Sequence, residues 1–119
     1  MLEKVVLADA FAGIDAPWQP RLAAEVDGMH VRVVRLEGDF VWHHHAEEDE
    51  LFLVVSGRLT MRLRDGDVEL GPGELVVVPA GVEHCPSAPD GAEVVLVERA
   101  SVVNTGSAGG ARTAPVRPL

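Results

Sequence analysis

The run from Gly38 to Gly57, G-D-F-V-W-H-H-H-A-E-E-D-E-L-F-L-V-V-S-G, constrains this chain most, together with a second run from Gly73 to Ala88, G-E-L-V-V-V-P-A-G-V-E-H-C-P-S-A. On an extended strand successive side chains leave on opposite faces, so His43 and His45 can aim at one point while His44 aims away. Glu50 opens the apolar run Leu51 to Val55, and His84 follows the turn Pro79-Ala80-Gly81. Three imidazoles and a carboxylate are thereby available from two β-segments. Neutral imidazole nitrogens and carboxylate oxygens suit borderline divalent metals, and four protein ligands around an ion that prefers six leave two open positions.

The rest of the chain punctuates in the same way. Val6, Leu7, Phe11 and Ile14 recur near helical spacing in the first 15 residues, which predicts a short amphipathic helix ended by Pro17-Trp18-Gln19-Pro20. Strands are predicted at Leu22 to Val26 and Met29 to Leu36, joined across Asp27-Gly28, a strong hairpin signal. Further strands are expected at Phe40 to His45, Leu51 to Val55, Leu59 to Arg64, Asp67 to Leu70, Glu74 to Val78 and Glu93 to Glu98. In the third of these, Leu59, Met61 and Leu63 alternate with Thr60, Arg62 and Arg64, giving one dry face and one wet. Gly57 ends a strand where a positive φ is useful. Short strands with frequent turns predict an all-β antiparallel sandwich or small barrel.

Composition narrows the classes. With 119 residues the chain suits one domain, and its apolar fraction of 47%, rich in Val, is enough to fill a core built on strands. The formal charge of −9 weighs against a nucleic-acid partner, because phosphate binding needs a basic patch. Glu47, Glu48 and Asp49 read as a solvated loop face. The single cysteine, Cys85, excludes an intrachain disulfide, and with no charged leader and apolar signal core a cytoplasmic setting is expected. No stretch approaches the roughly 20 apolar residues of a membrane span.

The paired segments resemble the two signature motifs of the cupin superfamily, G-x5-H-x-H-x3,4-E-x6-G and G-x5-P-x-G-x2-H-x3-N. The first matches at His43, His45, Glu50 and Gly57, with four residues rather than five between Gly38 and His43; the second matches at Gly73, Pro79, Gly81 and His84, with Ala88 where the pattern has Asn. Asp49 fits the shorter spacing in position but is not Glu, so Glu50 is preferred. The resemblance implies a double-stranded β-helix, or jelly roll, whose interior holds one divalent ion such as Fe, Mn, Ni or Zn on His43, His45, Glu50 and His84. It also implies a homodimer. Residues 1–107 would form the cupin domain with its N-terminal helix, and the Ser-, Gly-, Ala- and Pro-rich residues 108–119 a flexible tail that is loose or docks on a neighbour.

By parity with Glu50, Phe52 and Val54 are expected on the wall of a substrate pocket, with Met61 and Leu63 beside them. Phe40 and Trp42 alternate against the histidines and are expected on the opposite face or at a subunit contact. Phe11 and Trp18 read as anchors capping the sandwich, and Cys85 as a small buried apolar residue. The cupins this chain resembles include dioxygenases, oxalate decarboxylases and phosphosugar isomerases, so a metalloenzyme acting on a small organic molecule is expected, by dioxygenase-like or other metal-dependent chemistry. An isomerase would need a Lys or Arg cluster for phosphate, and the basic residues available to face a pocket are few, chiefly Arg32, Arg35, Arg62 and Arg99. The alternative is a non-catalytic module that holds metal and a small ligand.

Overall fold

The computed structural model describes residues 2–119. One short helix, α1 (Leu7–Ala12), precedes eight strands: β1 (Arg21–Val26), β2 (Met29–Asp39), β3 (Glu50–Gly57), β4 (Leu59–Leu63), β5 (Val68–Leu70), β6 (Leu75–Val78), β7 (His84–Arg99) and β8 (Arg117–Pro118). The all-β architecture with a short N-terminal helix is as the sequence predicts. No helix among the described residues is long and apolar enough to cross a membrane.

Strand β7 organises the molecule. Its first residues pair with β4, from Thr60↔Ser87 to Leu63↔His84, while its second half pairs with β2 on one edge and β3 on the other. The linear order is β5-β4-β7-β2-β1-β8, with β3 bridging β7 and β6. The turn signals at Asp27-Gly28 and Gly57 hold. Gly57 has φ +78, and a Cβ there would collide with the Gly91 carbonyl of β7, so only glycine lets the two backbones cross this closely.

Alternation along β2 divides the apolar side chains between two clusters. Val34 and Leu36 join Phe52, Val54, Leu59 and Met61 in the barrel interior. Val33 faces the other way and meets Phe11 and Ile14, which hold α1 against Val95 of β7. The helix is only six residues and lacks a side-chain cap at Val6, so this packing, rather than propensity, stabilises it.

Two expectations need correction. The segment Phe40 to His45 is not a strand: regular pairing stops at Asp39 after an irregularity between Leu36 and Gly38, and only an isolated bridge, His43↔His84, follows. The strand expected at Glu93 to Glu98 begins instead at His84, as part of β7, with Pro86 and Pro89 lying within it. Pro86 sits opposite Met61 and its carbonyl still accepts from Phe40 N at 2.9 Å. A proline gives up only the donor side of its ladder position.

Residues 101–119 lie back along the sheet. Arg117 and Pro118 pair in parallel with Arg21 and Leu22 of β1, Val102 and Thr105 are buried, and the Thr105 and Thr113 hydroxyls meet at 2.6 Å.

Candidate metal centre

His43, His45, Glu50 and His84 converge. One ligand atom from each lies within 4.8 Å of all the others, and all four residues are buried. Glu50 opens β3 opposite Glu98 of β7, and His84 opens β7 opposite Leu63 of β4; the two side chains nevertheless meet, with His84 Nε2 3.5 Å from Glu50 Oε1. His43 and His84 are locked together by reciprocal backbone hydrogen bonds of 3.0 and 2.9 Å. Alternation therefore survives locally where the strand does not, and His45 enters beside His43.

The protonation pattern suits ligation. His43 Nδ1 lies 2.8 Å from the Val41 carbonyl and His84 Nδ1 lies 2.9 Å from the Val82 carbonyl. Each Nδ1–H therefore donates to a carbonyl, which leaves the Nε2 lone pair free to face the centre. His45 Nε2 and His84 Nε2 lie 3.3 and 3.5 Å from Glu50 Oε1, and none of these three buried atoms has a hydrogen-bond partner. Buried polar atoms without partners are costly, and a cation among them satisfies all three at once. The donor set fits a divalent ion of the borderline class.

Electrostatics agree. Burial lowers the His43 ring to about 4, so it is neutral at ordinary pH. Burial alone would raise Glu50, but the facing Glu98 carboxyl and then the His45 and His84 rings outweigh it and hold Glu50 well below the usual carboxylate range. Glu98, directly opposite Glu50 in the β3–β7 register, is raised well above its usual value by burial and by Glu50, against the pull of Arg32. The facing pair thus keeps its proton on Glu98 and its charge on Glu50.

Asp49, the competing acid, accepts a hydrogen bond from Ala80 N at 2.9 Å and lies outside the cluster, and Glu48 accepts from Ser101 Oγ. His44 also lies outside it, with its backbone N–H and carbonyl both bonded to Ser107. That contact brings Gly106 against the ligand loop: a Cβ there would strike the His44 carbonyl and stand 3.0 Å from His45 Nδ1. Cys85 is buried, which raises its thiol, and it points away from the cluster.

A cavity of about 40 Å³ opens onto His43 and Glu50, walled by Trp18, Phe40, Phe52 and Leu96 among others. Phe52 thus lies on the wall; Val54 and Met61 are fully buried in the interior cluster and Leu63 packs against it, away from the cavity lining. Phe40 does not face the opposite side. It stacks on Trp18 at 4.6 Å and meets the His43 ring edge-on at 5.5 Å, because the pleat that parity assumes has already ended at Asp39. Trp42 does turn away, under the Arg64 guanidinium at 3.8 Å.

Trp18 is a wall residue that parity could not find. It adopts φ +64, uncommon for a bulky side chain, and is pinned by Trp18 N to the Arg35 carbonyl at 2.8 Å and Nε1 to the Glu37 carbonyl at 2.9 Å. Its one sequence signal is the flanking Pro17 and Pro20. Of the basic residues considered for a pocket, Arg32 is buried against Glu98, Arg35 donates to the Ile14 carbonyl and Arg62 lies beside Trp42.

The profile of the cupin domain family matches residues 30–98. A cupin-2 domain protein of Shewanella frigidimarina superposes with a TM-score of 0.78 at 38% identity, covering 80% of this chain and 93% of that one. Two curated relatives match shorter stretches. The uncharacterized protein YdbB of Bacillus subtilis is 34% identical over 62 residues, 51% of this chain and 55% of its own length. An acireductone dioxygenase of Bacillus cytotoxicus is 38% identical over 64 residues, 50% of this chain and 38% of its own length. The chain therefore spans about half or less of the curated relatives it matches. Motif positions, fold and profile agree over the segment that carries the four converging side chains, and the chain belongs to the cupin family.

Proposed function

We propose that this protein is a metal-dependent enzyme acting on a small organic molecule, with dioxygenase-like chemistry as the leading form. One observation carries the reading: three buried donor atoms without partners, on His45, Glu50 and His84, converge with His43, and an apolar cavity opens onto His43 and Glu50. A divalent ion held by His43, His45, Glu50 and His84 would supply Lewis acidity at positions the protein leaves open. The chain's own residues do the rest. The Val41 and Val82 carbonyls orient the His43 and His84 rings, Glu98 keeps Glu50 ionised, and Trp18, Phe40 and Phe52 exclude water from the small space above. Similarity to an acireductone dioxygenase over half of this chain supports an oxygen-dependent reaction.

A sugar-phosphate isomerase is disfavoured, since no Lys or Arg lines the cavity. The non-catalytic alternative has a specific observation in its favour: beyond the ligand set, the cavity wall carries no titratable side chain to act as a general base. Anaerobic reconstitution with Fe(II), Mn(II), Ni(II) or Zn(II), followed by oxygen uptake with diols and β-diketones, separates the two. Uptake with any substrate rules out the pure binder; thermal shifts on ligand addition without turnover favour it. A homodimer and a cytoplasmic setting belong to the same reading and are checked by sedimentation and cell fractionation.

A further inference from the structure

We propose that the cavity beside His43 and Glu50 is a pocket for a neutral diatomic gas, dioxygen, and that the organic substrate does not enter it. This deepens the oxygen-dependent reading of the centre and rests on it.

Size is the first constraint. The cavity measures about 40 Å³. A cavity of about 150 Å³ holds benzene, which is roughly 25 Å³ per heavy atom, and pockets for drug-sized molecules begin near about 300 Å³. On that scale the space beside His43 takes about two heavy atoms. The wall that bounds it is tied in place. Trp18 stacks on Phe40 at 4.6 Å, its Nε1–H donates to the Glu37 carbonyl at 2.9 Å, and its own carbonyl accepts from Asn104 Nδ2 at 3.3 Å.

Polarity is the second. Val34 and Leu36 of β2, Phe52 of β3 and Leu96 of β7 supply apolar wall from three strands. The polar side-chain groups nearby are engaged elsewhere. Asn104 places Nδ2 on the Arg112 and Trp18 carbonyls and Oδ1 on Ala114 N. The His43 Nδ1–H is taken up by the Val41 carbonyl, and Glu50 Oε1 turns towards the His45 and His84 rings. A water held in a cavity needs two to four polar partners, and outside the ligand cluster these side chains offer none that is unengaged. An anion fares worse, since its charge would be desolvated between apolar walls and the Glu50 carboxylate.

Dioxygen meets both constraints. It has two heavy atoms, carries no charge, demands no hydrogen bond and gains on leaving water for apolar surroundings. Because the pocket borders two of the four converging residues, a gas held there stands next to the centre.

The test uses the full chain incubated with Zn(II), which is diamagnetic, with zinc content measured on every sample. Methyl relaxation is recorded by NMR under oxygen pressure and under equal nitrogen pressure. Val34, Leu36 and Leu96 border the cavity, whereas Val33 and Val95 are as deeply buried but pack under α1. The paramagnetic enhancement from dioxygen is expected to be several-fold larger at the first three than at the last two, and to persist when catechol is added as an organic probe. Equal enhancement at both sets, or its collapse on adding catechol, would overturn the proposal. Val34→Phe, or Leu96→Phe where the first does not fold, fills the space and abolishes the contrast; the wild-type comparison itself needs no variant. Failure of the parent reading looks different. Protein that holds no zinc and takes up no oxygen with any diol, yet shows the methyl contrast, keeps the pocket and loses the enzyme. Oxygen uptake at the wild-type rate in folded, zinc-competent Val34→Phe keeps the enzyme and overturns the pocket.

Discussion

Two groups of buried polar side chains face each other across β3 and β7, and the fold treats them oppositely. Arg32, 1% exposed, donates from Nη1 to Glu98 Oε1 at 2.9 Å and to the Val102 carbonyl at 2.8 Å, from Nη2 to the Ala100 carbonyl at 3.0 Å and from Nε to His30 at 3.2 Å. His45, His84 and Glu50 are comparably buried, yet their inward atoms have no partner. A desolvated group with a full set of hydrogen bonds does structural work; buried donor atoms that the chain itself does not satisfy suit a cation. Glu98 connects the two: one oxygen accepts from Arg32, the other has no hydrogen-bond partner, and the residue stands opposite Glu50.

The contrast can be broken most directly at Arg32. Arg32→Met removes one side of a buried pair and leaves two carbonyls and Glu98 without their donor, so a loss of about 3–5 kcal/mol is expected in denaturant unfolding. A loss below about 1 kcal/mol would mean the satisfied group is no more structural than the vacant one.

Next in size is the pH response of the metal-free protein. The folded His43 value of about 4 lies below the ordinary 6.5. A depressed histidine binds fewer protons folded than unfolded, so its contribution is full above pH 6.5 and is lost as the pH falls through 4. The expected loss is up to about 3 kcal/mol, from 1.36 kcal/mol per unit. Glu98, raised in the fold, acts in the opposite sense, so the difference between wild type and His43→Gln across that window isolates the ring. A flat difference would refute the burial argument for His43.

The smallest effect on folding, and the sharpest on the centre, is expected at His84. His84→Ala should weaken metal binding by about a hundredfold, at least matching the loss of a supporting partner, while costing the metal-free fold less than the Arg32 change. His44→Ala, by contrast, should leave metal content unchanged in elemental analysis, because that ring stands outside the converging set. Equal metal loss in both would remove the distinction between vacant and satisfied groups.

Much of this was legible in the residues themselves. The spacing of His43, His45, Glu50 and His84 is a covalent fact, and the local alternation of His43 and His45 held although the strand expected around them did not form. The same parity failed for Phe40, one position beyond the last regular pair, since a period holds only as long as the pleat does. Met61 and Val54 show a second limit: they share the inward face with Phe52, but depth along the barrel, which alternation does not encode, decides which inward side chain borders the cavity. Cys85 was placed correctly because it needs only the face and not the depth.

The chain by itself determined an all-β domain, its main turns and the identity of a four-residue donor set, because these depend on local periodicity and on residue chemistry. Only the tertiary structure decided that Trp18 and Phe40 stack beside His43, that Glu98 opposes Glu50, and that Asn104 returns to the Trp18 carbonyl. Those contacts join residues far apart in the chain through close packing and hydrogen-bond geometry, and no local pattern carries that information.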